Sequence, residues 1–128
     1  MRRPLVQAAL VGALCVAGAT LALAQSNGQQ EFERSCALCH GLDGRGSGPL
    51  ADAMKSVPTD LTRLAARSNS DFPSNRVADV IRNGGGVLGH GSSAMLAWGN
   101  YFAEKGQPKV GKERIAELVG YIKSLQQK

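Results

Sequence analysis

Apolar residues recur at helical spacing in two parts of this chain, and no segment shows the strict alternation of a half-buried strand. Residues 74–83 carry three apolar side chains on one face, and residues 112–126 carry five. The eight are Val77, Val80, Ile81, Ile115, Leu118, Val119, Ile122 and Leu125. Each pattern predicts an amphipathic helix, the first with Ser74 as its N-cap and Gly84 as its stop.

Weaker helical patterns precede these two. Residues 29–39 predict a helix that turns Phe32 inward and ends at a pair of cysteines. Residues 50–57 and 60–67 are short helical candidates, and Pro58 separates them because proline interrupts a helix.

Two glycine-rich stretches, residues 41–49 and 84–91, have no apolar periodicity and predict loops. The second also satisfies the G-x-G-x-x-G pattern of dinucleotide binding. That motif requires a strand before it and a helix after it, whereas here a predicted helix precedes it. The sequence therefore predicts one small all-α domain.

The first 24 residues have the pattern of a secretory signal peptide. Arg2 and Arg3 precede an almost wholly apolar stretch, residues 5–23, and Ala-Leu-Ala at residues 22–24 forms a cleavage site. We therefore expect a cleaved signal, export to the periplasm and a mature domain over residues 25–128.

This segment has two alternative fates. The apolar stretch approaches the length needed to span a bilayer, so a retained anchor is the alternative to cleavage. Lipoprotein processing at Cys15 is disfavoured because Leu14, and not a small residue, precedes the cysteine. After cleavage we expect no membrane span and a monomer.

The charge of the chain gives little reason to expect a nucleic-acid partner. Loss of Arg2 and Arg3 with the signal lowers the formal net charge from +5 to +3. Lysine and arginine form no run, and aromatic residues do not interleave with them.

Of the three cysteines, cleavage leaves only Cys36 and Cys39.

The five residues Cys-Ala-Leu-Cys-His at 36–40 form the C-x-x-C-H signature of c-type haem attachment. Thiols separated by two residues on one helical turn can add to the two vinyl groups at a porphyrin edge. The histidine that follows, His40, then binds iron as the proximal ligand. The motif predicts one haem c per chain, held covalently by Cys36 and Cys39.

Three residues of the mature chain are candidates for the sixth iron ligand. Met95 lies 55 positions after His40 and follows a glycine-rich loop that could pass round the haem edge. His90 lies only five positions from Met95 and competes with it. Met54 falls in a short helical candidate, where filling the core is the ordinary role of a methionine.

Four segments of the mature chain, in order, resemble the class I c-type cytochromes, the small single-haem electron carriers of the bacterial periplasm and of mitochondria. They are C-A-L-C-H-G at 36–41, D-G-R-G-S-G-P-L at 43–50, P-T-D-L-T at 58–62 and M-L-A-W-G at 95–99. The last differs from the M-P-x-W-G of many bacterial members, because Leu96 replaces the proline.

The resemblance implies the all-α cytochrome c fold, in which short helices surround one haem and the N- and C-terminal helices cross near Phe32 and Tyr121. It also implies Met95 as the distal ligand opposite His40. A His/Met pair favours ferrous iron and leaves no open iron site, as expected of a one-electron carrier and not of an enzyme. The resemblance further implies that a proline carbonyl, of Pro58 in preference to Pro49, accepts the His40 ring N–H.

Expected partners are redox proteins: a membrane quinol-oxidising complex, a haem-copper oxidase or a periplasmic dehydrogenase. Two related functions stay open, namely a dedicated haem subunit of one dehydrogenase, and a haem enzyme or sensor with a displaceable sixth ligand. A zinc or thiol-redox module built on Cys36 and Cys39 is a more distant alternative.

Several further residues have two interpretations each. Trp98 is a candidate for packing on the haem and donating to a propionate, or for an ordinary core indole. Arg45, Arg63 and Arg82 could neutralise propionates or simply be solvated. A cluster of four cations would suit an acidic docking partner, or a solvated helix start: Lys105, Lys109, Lys112 and Arg114.

Overall fold

The structure is a computed structural model that describes residues 26–85, 94–103 and 107–127. Within those ranges the chain forms five α-helices and three single-turn 3₁₀ helices, and it has no strand. The α-helices are α1 (Asn27–Ser35), α2 (Ala37–His40), α3 (Ser74–Asn83), α4 (Gly99–Phe102) and α5 (Pro108–Ser124). The 3₁₀ turns are Ala51–Ala53, Leu61–Arg63 and Ala66–Ser68. The all-α prediction is confirmed.

The first and last helices pack directly on each other, as the resemblance implied. Gly28 of α1 faces the backbone of Glu117, and a Cβ at that glycine would overlap the Glu117 carbonyl. One helical turn further on, the rings of Phe32 and Tyr121 lie 5.3 Å apart between centroids. The side chain of Asn27 donates to Glu117 at 3.2 Å. The α1–α5 contact is therefore close because α1 presents a glycine there.

The core lies where α1, α3, α4 and α5 meet. Its fully buried large side chains are Phe32, Phe102 and Leu118. Ile115, Val119 and Ile122 complete the buried face of α5 that the sequence predicted. None of the helices in the described ranges is long and apolar enough to cross a bilayer.

The predicted helix over residues 29–39 is divided at Cys36. This residue has φ −114° and ψ −34°, caps α1 and begins the separate turn α2. Its N–H still donates to Phe32 O at 2.8 Å, while its own carbonyl accepts from His40 N at 2.9 Å. The interruption between α1 and α2 falls at the first residue of the segment that holds the two cysteines and His40.

Other helix boundaries differ from the predicted ones. Ser74 is the first residue of α3 and not its N-cap; that position belongs to Pro73, whose carbonyl accepts from Val77 N at 3.0 Å. Helix α5 begins four residues early, at Pro108, because proline suits the first helical turn. Gly84 ends α3 with φ +79°, as predicted.

The predicted helices with the weakest apolar patterns are much shorter in the structure. The segments 50–57 and 60–67 contain only 3₁₀ turns. Helix α4 was not predicted, because four residues are too few to show a period. Most of the second glycine-rich loop, with His90, lies outside the described residues.

Candidate haem site

A cavity of about 640 Å³ opens between α2, α3, the 3₁₀ turns and the segment before α4. It brings together almost every site residue that the sequence singled out. Those on its wall are Cys36, Cys39, His40, Met54, Pro58, Met95 and Trp98. Apolar side chains make up much of the remaining wall: Leu61, Leu64, Val77, Val80, Ile81 and Ile122.

His40 is oriented by a backbone carbonyl. Its Nδ1 lies 2.9 Å from Thr59 O, and because a carbonyl can only accept, Nδ1 carries the ring proton. The lone pair is then on Nε2, the atom available to a metal. Burial lowers the pKa of His40, and the bond to Thr59 opposes this only in part. The imidazole is therefore neutral at pH 7, as a metal ligand must be.

The preference for a proline carbonyl as the partner of His40 was wrong by one residue. The accepting oxygen belongs to Thr59, and not to Pro58 or Pro49. Pro58 O is turned towards the backbone of Gly46, where a Cβ would overlap it. Pro58 still lines the cavity.

The loop after His40 is bonded back onto α2 and onto the next turn. Gly46 N donates to His40 O at 2.7 Å, and Gly48 N donates to Cys39 O at 3.1 Å. Leu61 N donates to Gly44 O at 2.7 Å, which ties the loop to the segment carrying Thr59. Gly44 and Gly46 have φ of +74° and +88°, so these backbone contacts require glycine.

Cys36 is buried and Cys39 half-buried, and neither forms a disulfide. Burial raises the pKa of the Cys36 thiol to about 12, with smaller effects from Glu31 and Cys39. Thiol-exchange centres need the opposite shift, towards the thiolate. Within the described ranges no three His, Cys, Asp or Glu side chains come together as a metal site would require. The raised pKa of Cys36 therefore disfavours the thiol-redox alternative.

The Met95 segment is attached to the end of α3. Gly85 N donates to Met95 O at 3.1 Å, and Trp98 N donates to Ile81 O at 2.9 Å. Met95 itself is half-buried on the cavity wall. Met54 also lines the cavity, but it caps a 3₁₀ turn and does not fill the core from an amphipathic helix as expected.

Trp98 lines the cavity and also packs against the core. Its indole stacks on Phe102 with ring centroids 5.5 Å apart and an interplanar angle of 19°. Tyr101 meets the same indole edge-on at 5.4 Å. The tryptophan thus connects the cavity wall to the buried aromatic core.

The arginines on the described cavity wall are not the ones that the sequence suggested. Arg45 pairs with exposed Asp43 at 3.7 Å, and Arg82 with exposed Asp79 at 2.7 Å. Arg67 and Arg76 line the cavity instead. Arg76 had a sequence signal, because it lies four residues before Val80 on the same face of α3.

The predicted cationic cluster is only partly at the surface. Arg114 forms an ion pair with Glu31 at 2.6 Å, with 24% and 11% of the two side chains exposed. It is therefore not available to a docking partner. Lys109 and Lys112 are exposed, and Lys105 lies outside the described residues.

An all-α fold around an apolar cavity, with C-x-x-C-H on its wall beside a methionine, defines a c-type haem protein of the class I architecture. The family model described as Cytochrome c matches residues 25–126, so the chain belongs to the cytochrome c family. No individual curated protein gives a significant match. The family binds haem c and supports haem-based electron transfer between redox partners.

The residues present fit that cofactor. A porphyrin needs apolar walls for its faces and cations for its two propionates, and α3, Arg67 and Arg76 supply both kinds of contact. Two thiols and a neutral imidazole lie on the same cavity wall. This donor set combines the groups that c-type attachment and iron ligation use.

Proposed function

We propose that this protein is a one-electron carrier whose single haem c is attached through Cys36 and Cys39, with iron held between His40 and Met95. The observation that carries the proposal is that one cavity is lined by all four of these side chains. Haem c, when bound, supplies an iron that alternates between the ferrous and ferric states.

His40 and Met95, which both line the cavity, would hold the iron. The bond from His40 Nδ1 to Thr59 O holds the ring orientation and increases the basicity of Nε2. The thioether of Met95 is a soft, neutral donor that favours ferrous iron and raises the reduction potential. If both residues bind the iron, substrates would have no access to it, as expected of a carrier and not of an enzyme or a sensor.

The cavity walls would keep water from the iron and hold the propionates. Val77, Val80 and Ile81 present an apolar surface from α3. Arg67 and Arg76 are the cations that we assign to the propionates, in place of the three suggested by the sequence.

Partner proteins would approach the mouth of this cavity. Val57 and Leu96 line it yet are 81% and 66% exposed, so they lie at its rim. We propose the partners expected from the sequence, namely a quinol-oxidising complex, a haem-copper oxidase or a dehydrogenase. The signal-peptide pattern predicted for residues 1–24 supports a periplasmic location, and we propose that the mature protein is a monomer.

The ligand assignment is tested by the visible spectrum of the ferric holoprotein. Met95→Ala is expected to abolish the weak far-red band of methionine-bound ferric haem. It should also lower the reduction potential by roughly 100 mV or more, a modest part of the range set by axial ligands. Met54→Ala is the matched control, because it removes the other methionine on the cavity wall and should leave the band intact.

A far-red band that survives Met95→Ala but not Met54→Ala would reassign the ligand.

Covalent attachment is measured separately, by haem staining after denaturing electrophoresis. Replacing Cys36 and Cys39 together by serine should abolish the stain, and a stained band in that variant would contradict the proposed thioethers.

A further inference from the structure

One half-buried carboxylate, that of Glu31, joins α1 to α5. Glu31 of α1 accepts from Ser35 Oγ at 2.7 Å through Oε1. Its Oε2 accepts from Arg114 Nη2 at 2.6 Å and from Arg114 Nε at 3.1 Å. Two donor nitrogens of one planar guanidinium on one carboxylate fix the direction in which the guanidinium faces.

That guanidinium lies over the ring of Phe102. Arg114 Cζ is 4.7 Å from the centroid of the Phe102 ring, within the range of a cation–π contact. Phe102 is fully buried and stacks in turn on Trp98. Trp98 lines the haem cavity three residues after Met95. A continuous series of contacts therefore runs from Glu31 to the Met95 segment.

We propose that Arg114 is a positioning residue that holds the Met95 side of the cavity in place through Phe102 and Trp98. This inference rests on the proposed ligation of iron by Met95. Glu31 orients the guanidinium, which packs on the Phe102 ring. Phe102 in turn packs on the indole of Trp98. Without the guanidinium, Phe102 loses this packing contact. Helix α4 and the Met95 segment can then shift away from the cavity.

A purely structural role would give a different result. If Arg114 only stabilised the contact between α1 and α5, its removal would lower the free energy of unfolding. The folded protein would still keep its methionine bound as firmly as before. The two roles are separated by exogenous imidazole, which binds ferric iron only where the methionine has left.

The experiment titrates the ferric holoprotein with imidazole, under conditions where circular dichroism shows every variant folded. Arg114→Gln is expected to bind imidazole roughly twofold to thirtyfold more tightly, the range of coupling through such networks. Arg114→Lys should behave like Arg114→Gln, because an ammonium can pair with Glu31 but cannot stack as a plane on Phe102. Lys123→Gln is the matched control, since it removes an exposed cation from the same helix and should change nothing.

Imidazole affinity that is unchanged in Arg114→Gln, or changed equally in Lys123→Gln, would overturn the inference. Wild-type affinity in Arg114→Lys would overturn the role of stacking. Arg114→Gln is also made in a Met95→Ala background, where it should have no effect because no methionine remains to be displaced. An equal effect in both backgrounds would contradict positioning through Met95. Absence of the far-red band from the wild type would instead overturn the proposed ligation itself.

Discussion

The two sides of the haem cavity are built in different ways. The motif side, residues 36–61, is held by backbone hydrogen bonds between loop glycines and the carbonyls of α2. The methionine side, residues 94–103, has two backbone bonds to the end of α3, and side-chain packing supports the rest. Most side chains on the motif side can therefore change without moving His40, whereas the Met95 segment depends on side chains from distant helices.

The largest loss of stability is expected from adding a side chain at Gly46, a loop glycine of the motif side. Gly46 has φ +88°, and a Cβ there would overlap Pro58 O. Gly46→Ala should destabilise the holoprotein by about 2–4 kcal/mol, from the left-handed backbone and the clash together. Denaturant unfolding measures this loss.

Gly120→Ala is the control for that substitution. Gly120 lies within α5 with nothing within 4 Å of the position of a Cβ. Alanine should therefore stabilise the protein there by about 0.5–1 kcal/mol, because it is the better helix former. Similar losses at both glycines would mean that the backbone contacts of the motif side are not what makes Gly46 sensitive.

Substitution of Glu31, which supports the methionine side through Arg114, is expected to have a smaller and pH-dependent effect on the free energy of unfolding. Burial alone would raise the pKa of Glu31, but the bond from Ser35, the Arg114 pair and the charge of Arg34 together lower it below its ordinary value. A lowered carboxyl pKa gives stability that is present above the unfolded pKa and lost as pH falls through the folded one. Glu31→Gln should cost about 1–3 kcal/mol at pH 7.

The measured quantity is the difference in free energy of unfolding between the wild type and Glu31→Gln, followed as a function of pH. That difference should shrink as pH falls from about 4.5, the ordinary pKa of the carboxyl, through the lowered pKa of the folded state, because the unfolded chain takes up the proton first. Taking the difference removes the acid sensitivity that both proteins share. A difference that stays constant from pH 7 to pH 3 would show that the charge of Glu31 contributes nothing.

The smallest effect is expected at Thr59, whose carbonyl orients His40 while its side chain is exposed. Thr59→Ala keeps the carbonyl, so the reduction potential should be unchanged and the free energy of unfolding should change by less than about 0.5 kcal/mol. Potentiometric titration measures the first quantity. A clear change in potential would show that the motif side depends on side chains as the methionine side does.

The sequence predicted the motif side better, for a physical reason. Cys36, Cys39 and His40 are contiguous, and their chemistry depends on spacing along one turn. The proline assignment missed Thr59 because the direction of a carbonyl depends on local torsion angles, which residue type does not fix at Pro58. Arg67 could not have been found, since nothing in its local pattern indicates which cavity it faces.

Arg114 was misassigned for a similar reason. Within α5 it follows Lys109 and Lys112, so local spacing groups it with exposed cations. Its partner Glu31 is 83 positions away, and only the packing of α1 on α5 brings them together. The buried apolar face of α5 was predictable, because helical periodicity is a local property.

The packing of α1 on α5 also determines when the fold can be completed. The bond from Asn27 to Glu117 spans 90 positions, so α1 acquires its partner only after nearly all of the chain has been synthesised. Closing so long a loop is an entropically costly step in folding. During that interval Cys36, at the end of α1, stands without the helix that later supplies Ile122 to the cavity wall. The thiols of the motif are thus less enclosed before α5 packs than after it.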